Sequence, residues 1–178
     1  SDRKRAGTLQ GPVVGTVMSN LGLEQKLQAE GVEFLRAKVG DRYVLAMLKE
    51  HGGVLGGETS GHLLCLDRTT TGDGLVSALE VLAVMKRTGR PLAELVAGMP
   101  KFPQVMINVR VKQRIDLSKS QAIQDAVKRV EEGLGTTGRV VLRASGTEPV
   151  IRVMIEAQEE AVASRYANEL AEVVRTAI

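Results

Sequence analysis

The first half of the chain alternates short, continuous apolar runs with stretches that have the period of an amphipathic helix. The apolar runs lie at 11–18, 32–39, 53–58 and 62–66. A short run without polar alternation is typical of a strand that is covered on both faces. Parallel neighbours cannot be joined by a tight turn, so the intervening helices must cross over the sheet. This order predicts an α/β domain in which a parallel or mixed sheet lies between helix layers.

Helix start and stop signals stand between these runs. Asn20 suits the N-cap of a helix over 20–30, because its side chain can accept from the first free amides. Asp41 suits the N-cap of the next helix, which Gly52 or Gly53 would end in the left-handed conformation.

The segment TTTGDG at 69–74 precedes a third helix, predicted over 75–88. Either Asp73 or a threonine caps this helix, or the helix amides bind an anion, and capping is the favoured alternative. The predicted apolar stripe of this helix consists of Leu75, Leu79, Leu82 and Met85. Pro91 suits the first turn of another short helix, ended by Gly98.

The segment MPKFPQ at 99–104 interrupts the alternation, because two prolines flank an aromatic residue. It predicts a boundary near residue 101, with one domain over 1–100 and another over 101–178. In the second domain we expect a small sheet with two helices on one face, an α+β arrangement. Its expected elements are a strand at 104–112, a helix at 118–133 capped by Ser118 or Ser120, a strand–loop–strand unit at 139–157 and a helix at 159–177.

Composition argues against several classes of function. The net charge is +3, the aromatic fraction is 2% and there is no Trp, so little is available to stack bases of a nucleic acid. No apolar run approaches the roughly 20 residues that span a bilayer, and the first residues do not look like a secretory signal. Cys65 is the single cysteine and cannot form an internal disulfide, which favours a reducing cytoplasm.

The loop between the last two predicted strands concentrates groups that bind anions. It contains Arg143, Ser145, Gly146 and Thr147, and Arg152 follows it. The planar guanidinium matches phosphate oxygens, the hydroxyls can donate, and glycine lets backbone amides turn inward. No group here titrates near neutral pH, so the loop is expected to bind and not to react. The alternative is a tight hairpin whose charges are merely solvated.

A second polar turn, GETSGH, joins two apolar runs of the first domain. Glu58 can accept hydrogen bonds, Ser60 can donate and accept, and His62 can do either. Such a trio on a glycine-hinged turn suits a polyol, because one carboxylate can accept from two adjacent sugar hydroxyls. A polar turn in which backbone groups satisfy His62 explains the same residues equally well.

Two cations and the histidines complete the candidates. Lys38 and Arg42 are weaker candidates for cationic contacts near the same edge of the sheet. His51 and His62 are the only histidines and no cysteine cluster accompanies them, so no metal site is predicted in this chain.

Together these loops resemble the α-D-phosphohexomutase superfamily, and the resemblance covers nearly the whole chain. GETSGH is similar to the sugar-recognition loop of that family, and RASGTEPVIR is similar to the phosphate-binding loop of its last domain. VGDRYV, TTTGDG and MPKFPQVMINV resemble the phosphoglucosamine mutase branch more than the phosphomannomutase or phosphoglucomutase branches.

The resemblance implies a cytoplasmic isomerase that interconverts glucosamine 6-phosphate and glucosamine 1-phosphate, a step towards peptidoglycan. The reaction would pass through a phosphoserine and glucosamine 1,6-bisphosphate, with Mg²⁺ as cofactor. Glu58, Ser60 and His62 would hold the sugar. The residues expected to hold the phosphate are Arg143, Ser145, Gly146, Thr147 and Arg152.

The chain lacks the serine loop and the DGDxDR metal loop of the family, so it resembles a C-terminal fragment with most of domain 3 and all of domain 4. Domain 3 is expected to lack its first strand, and domains 1 and 2 would be the missing partners. Such a fragment is expected to be inactive by itself. The alternatives are a fragment of a phosphomannomutase/phosphoglucomutase and a stand-alone phosphate-binding module.

Overall fold

The computed structural model describes residues 1–111, 116–146 and 148–177, and it divides into two compact units, Ser1–Lys101 and Phe102–Ile178. The first unit contains five helices and four strands among its described residues. They are α1 (Asp2–Arg5), β1 (Val13–Thr16), α2 (Leu21–Ala29), β2 (Phe34–Ala37), α3 (Asp41–His51), β3 (Leu55–Gly57), β4 (Leu63–Cys65), α4 (Gly74–Thr88) and α5 (Leu92–Val96).

The sheet of the first unit has the strand order β2-β1-β3-β4, and its three leading strands are parallel. The last strand, β4, is antiparallel to β3, which follows from the short connection between them. The mixed α/β sheet predicted from the sequence is therefore confirmed. On one face of the sheet, Val14 of β1 packs in a core with Val44 and Leu48 of α3.

Among the N-caps predicted for the first unit, Asn20 and Asp73 are confirmed and Asp41 is wrong, while Gly52 ends α3 in the left-handed conformation as predicted. The Asn20 side chain accepts from the Gly22 amide, and the Asp73 Oδ1 accepts from the amides of Leu75 and Val76 at 2.8 and 3.0 Å. The TTTGDG segment is therefore a capping segment.

Asp41 does not cap α3, because the helix starts at Asp41 itself and Gly40 occupies the N-cap position with φ 126°. The carbonyl of Gly40 accepts from the amides of Tyr43 and Val44. The Asp41 Oδ1 accepts from the neighbouring Arg42 amide instead.

The predicted stripe on α4 does not face the core. Leu75, Leu79 and Leu82 are 80%, 65% and 56% exposed, Met85 is partly buried, and no residue of this helix is fully buried. Val81 and Val84 lie on the other side of the helix and line an apolar cavity of about 430 Å³. A period in the sequence identifies a helix with an apolar side but does not say what covers it.

The second unit is a three-stranded antiparallel sheet with the order β5-β7-β6 and two helices. Its elements are β5 (Gln104–Arg110), α6 (Gln121–Leu134), β6 (Gly138–Ala144), β7 (Val150–Ala157) and α7 (Glu160–Thr176), with short 3₁₀ segments at Leu117–Lys119 and Gly135–Thr137. Ser120 is the N-cap residue of α6 without a side-chain cap bond, and Ser118 lies in the first 3₁₀ segment.

Alternate residues of the three strands form one core with both helices, as the predicted α+β arrangement requires. Ile151, Val153 and Ile155 of β7 lie in this core with Leu170 and Val174 of α7. The residues between them point to the opposite face of the sheet, because side chains alternate along a strand.

That opposite face carries a buried ion pair. Glu156 is fully buried and accepts from Arg139 Nε at 2.5 Å and from Gln104 Nε2 at 3.1 Å. These three residues are cross-strand partners in one row of the sheet.

A test of the first unit concerns Gly22 of α2. A methyl group on Gly22 would lie 1.6 Å from the carbonyl oxygen of Pro100, which is backbone and cannot move aside alone. We expect Gly22→Ala to lower the free energy of unfolding by about 1–3 kcal/mol, measured by urea denaturation. The matched control is Gly74→Ala at the start of α4, where nothing lies within 4 Å. Equal stability of the two variants would contradict this packing.

Candidate functional site

The carboxyl ends of β2 and β3 meet at one edge of the first sheet and position the first candidate site. Because these strands run in the same direction, the segments that follow them emerge on the same side. Gly40 follows β2 and Glu58 follows β3. The backbone amide of Gly40 donates to Glu58 Oε2 at 3.1 Å, so the carboxylate is fixed between the two segments.

The structure brings Glu58, Ser60 and His62 together on the turn between β3 and β4. His62 Nδ1 lies 3.0 Å from Ser60 Oγ and 3.4 Å from Glu58 Oε1. The turn is closed by the Glu58 amide, which donates to the His62 carbonyl, and by Gly61, which has φ 98°. Only 9% of the Glu58 side chain is exposed, against 58% of His62. The carboxylate is thus held in place while the imidazole remains accessible.

A cavity adjoins this turn within the first unit. Its volume is about 520 Å³, and Glu58 and Thr59 line it together with apolar residues of β1 and β3. Ser19, Asn20 and Lys101 also line this cavity, and the sequence analysis did not identify them as site residues. Asn20 carried only a capping signal, Lys101 stood in the predicted linker, and no motif in the sequence marked Ser19.

Lys38 and Arg42 do not join the trio. Both side chains are exposed, and no hydrogen bond or ion pair in the described part of the chain links either of them to Glu58, Ser60 or His62. Arg42 instead stacks on the Tyr43 ring at 4.6 Å and donates to its hydroxyl at 2.8 Å.

The second candidate site lies at the end of the β6–β7 hairpin, on the helix-free face of the second unit. Arg143 and Arg152 are direct cross-strand partners, so two positive charges stand side by side. Like charges in this position destabilise a sheet unless an anion lies between them. The Nε atoms of both side chains are buried and have no hydrogen-bond partner among the described residues.

Burial, and secondly the charge of Arg152, lower the pKa of the Arg143 guanidinium below its ordinary value. Arginine stays protonated at neutral pH despite such a shift. The shift therefore reports a cation that is partly removed from water and stands next to another cation. A phosphate would offset both costs, because it offers oxygens to the unpaired Nε–H groups and two negative charges to the pair.

The loop that joins the two strands is built around Ser145. This residue is buried, its Oγ accepts from the Glu148 amide at 3.2 Å, and its amide donates to the Val150 carbonyl. Glu148 Oε2 accepts from Arg152 Nη2 at 2.7 Å, which holds one end of that guanidinium. Gly146 is exposed at the tip of the loop. Thr147, the remaining predicted phosphate-binding residue, lies outside the described residues.

Other chemistry has little support in the described structure. No group of three histidine, cysteine, aspartate or glutamate residues is placed to hold a metal ion in residues 1–111, 116–146 and 148–177. Cys65 is buried, and burial raises the pKa of its thiol, which disfavours the reactive thiolate. None of the described helices combines the length and the apolar character that a bilayer crossing needs.

Two family models match the chain, one for each unit. Residues 2–102 match "Phosphoglucomutase/phosphomannomutase, alpha/beta/alpha domain III", and residues 106–173 match "Phosphoglucomutase/phosphomannomutase, C-terminal domain". The chain is 56% identical over 175 residues to a phosphoglucosamine mutase of Alkalilimnicola ehrlichii, covering 98% of the chain and 39% of that relative. It therefore spans about two fifths of the length of such relatives.

Solved structures show the same fold at low sequence identity. An Aspergillus fumigatus N-acetylphosphoglucosamine mutase in complex with GlcNAc-6P and magnesium superposes with a TM-score of 0.80 at 20% identity, over 96% of this chain and 42% of that one. A variant of the Aspergillus enzyme in complex with glucose 1,6-bisphosphate gives a TM-score of 0.74 at 21% identity, over 97% and 39%.

Removing one member of the arginine pair should change the stability of the second unit. In a buffer without multivalent anions, Arg143→Met should raise the free energy of unfolding by about 1 kcal/mol, because it removes a partly buried charge that repels Arg152. Added phosphate should stabilise the original chain and leave the variant unchanged. Thermal unfolding with and without phosphate measures both effects. Arg129→Met on α6 is the control, since Arg129 is exposed on a helix. Equal stabilisation of Arg143→Met by phosphate would contradict the assignment.

Proposed function

The chain belongs to the phosphoglucomutase/phosphomannomutase family, and from this premise we propose that it is the substrate-binding part of a phosphoglucosamine mutase. One observation carries the proposal. The Arg143–Arg152 pair has two buried, unpaired Nε–H groups, in a chain 56% identical to a phosphoglucosamine mutase. Such a pair has no evident purpose in the fold alone and suits the binding of a phosphate.

In this proposal the second unit binds the phosphate of the substrate. Arg143 and Arg152 contribute charge and N–H donors, while Ser145, Gly146 and Thr147 form the loop around the anion. Glu148 anchors Arg152 through one Nη atom and leaves its Nε–H for the ligand. None of these groups exchanges a proton or a phosphoryl group. Their role is to position a charged ligand, which is the main contribution that proteins make to phosphoryl transfer.

The first unit would bind the hydroxyl groups of the sugar. The Glu58 carboxylate is fixed by the Gly40 amide and can still accept from a ligand, since each oxygen has two lone pairs. Ser60 and His62 add groups that donate or accept at 3.0 Å from each other. A carboxylate also attracts the ammonium group that distinguishes glucosamine from glucose. Lys38 and Arg42 are secondary candidates for contacts to a phosphorylated ligand.

The proposed reaction interconverts glucosamine 6-phosphate and glucosamine 1-phosphate, which leads towards peptidoglycan. A serine outside this chain would transfer its phosphoryl group to the free hydroxyl of the substrate and give glucosamine 1,6-bisphosphate. The other phosphate of this intermediate would then return to the serine. The present chain would hold the sugar and the phosphate that is not reacting.

We infer that Mg²⁺ serves the complete enzyme, in keeping with the magnesium complex of the Aspergillus relative. The described residues of this chain do not supply a set of ligands for it. The metal would therefore be held by the domains that this chain does not include, and no step assigned to these residues runs through it. A cytoplasmic location is also proposed, because the single thiol, Cys65, is buried and unpaired.

A second candidate is a phosphomannomutase or phosphoglucomutase, because the two matching family models describe domains of such enzymes. The hydroxyls that the Glu58 turn would bind are common to several sugars. Rates with glucosamine, glucose and mannose phosphates on the complete enzyme would separate the two. A stand-alone phosphate-binding module is the third reading, and it predicts equal affinity for phosphate and for a phosphosugar.

Two substitutions in this chain test the assigned roles. Arg143→Ala should weaken binding of both inorganic phosphate and glucosamine 6-phosphate by about tenfold or more, because charge-assisted hydrogen bonds are lost. Glu58→Gln should weaken only the binding of glucosamine 6-phosphate. Amide chemical-shift titrations measure both affinities even in the millimolar range. Unchanged phosphate affinity in Arg143→Ala would overturn the phosphate site, and unchanged phosphosugar affinity in Glu58→Gln would overturn the sugar site.

The purified 178-residue chain should show no mutase activity, even with Mg²⁺ and a sugar bisphosphate. The reason is that the proposal places no nucleophile or phosphoryl donor in the chain. A coupled assay that detects glucosamine 1-phosphate measures this, with a complete phosphoglucosamine mutase as the positive control. Turnover that copurifies with the chain would contradict the proposal.

A further inference from the structure

The helix-free face of the second sheet places a third polar side chain in line with the arginine pair. The register pairs Arg143 of β6 with Arg152 of β7, and it pairs Arg152 with Asn108 of β5. The three residues form one row across all three strands. Cβ atoms of direct cross-strand partners lie about 4.5–5.5 Å apart, so Asn108 is as near to Arg152 as Arg143 is.

Arg110 extends the same face by one step along β5. It is the cross-strand partner of Val150 and therefore lies diagonally from Arg152. Diagonal neighbours are about 7–8 Å apart, which is within reach of an arginine side chain. The side chains of Asn108 and Arg110 are exposed, and no hydrogen bond or ion pair joins either side chain to another described residue.

Charge on this face is unevenly neutralised. Arg139 is paired with Glu156 at one end of the sheet, and Arg152 is paired with Glu148. Arg143 and Arg110 have no carboxylate partner in residues 102–111, 116–146 and 148–177. The uncompensated positive charge is therefore concentrated at the end of the sheet that carries the β6–β7 loop.

The fold itself gives no reason for these two residues. Asparagine is depleted in strands, and neither Asn108 nor Arg110 belongs to the core that the strands form with the helices. A second arginine near an existing like-charge pair raises the repulsion on this face. Both choices become favourable when an anion is bound there.

We propose that the phosphate site extends onto β5, with Asn108 and Arg110 as further binding residues for the phosphorylated ligand. This inference rests on the proposed function, since it takes Arg143 and Arg152 as the centre of the site. The Asn108 carboxamide donates to a phosphate oxygen beside Arg152. Arg110 supplies a charge at the rim of the site, which attracts the anion and contacts it once it is bound.

The test compares phosphate affinities of variants of this chain by amide chemical-shift titration with inorganic phosphate at low ionic strength. Arg110→Ala should weaken binding about three- to tenfold, because Arg110 acts from the solvent-exposed rim, and Asn108→Ala about two- to fivefold, because it removes one hydrogen bond. Arg110→Lys should recover at least half of the affinity that Arg110→Ala loses, because lysine keeps the positive charge. Arg129→Ala on α6 should leave the affinity unchanged.

The outcomes separate this inference from the proposed function. If Arg143→Ala weakens phosphate binding while Asn108→Ala and Arg110→Ala do not, the site stops at β7 and the inference is overturned. If Arg143→Ala has no effect, the proposed phosphate site itself is wrong. Amide spectra of each variant show whether the sheet is intact, and the double variant N108A/R110A should combine the two losses. An effect of Arg129→Ala equal to that of Arg110→Ala would reduce the role of Arg110 to net charge, which also overturns the inference.

Discussion

The second unit is organised around two guanidinium groups that the sheet forces together. β7 is the central strand, and its odd-numbered residues from Ile151 to Ile155 must face the core. Arg152 is thereby turned to the other face, where the register sets it opposite Arg143. A slip of one residue would bury Arg152 and expose the core residues, so the hydrophobic pattern enforces the repulsion. Under the proposed function, the folded sheet holds two cations in position before the anion binds, which is a form of preorganisation.

The first unit fixes a negative group by a different route. Glu58 owes its position to the parallel strands β2 and β3, whose ends lie at one edge and allow the Gly40 amide to reach its carboxylate. The glycine serves two purposes there, because its φ of 126° starts α3 and its N–H orients the carboxylate. Because the strand ends lie side by side, a backbone N–H from one connection can fix the orientation of a carboxylate on another. This explains how a three-residue strand such as β3 can position the side chain of the residue that follows it.

Local signals in the sequence were sufficient for most elements and for the two loops. The caps at Asn20 and Asp73 depend on a few neighbouring residues, and both were predicted correctly. Asp41 was misassigned because Gly40 can also start a helix, and only the backbone conformation decides between them. Asn108 could not be identified as part of the row with Arg143 and Arg152, since strand register depends on contacts between distant segments. The exposure of α4 was unpredictable for a similar reason, because the sequence does not reveal what a helix packs against.

The leucines that α4 presents to water mean that sulfate would act on this chain in two ways. Sulfate and similar anions are excluded from apolar surface, so they favour association of molecules through Leu75, Leu79 and Leu82. The same doubly charged anions, bound at the proposed phosphate site beside Arg143, would stabilise the second unit. During precipitation by ammonium sulfate, each molecule would therefore be more stable than it is without sulfate. Loss from solution under these conditions would reflect adhesion between folded chains and not their unfolding.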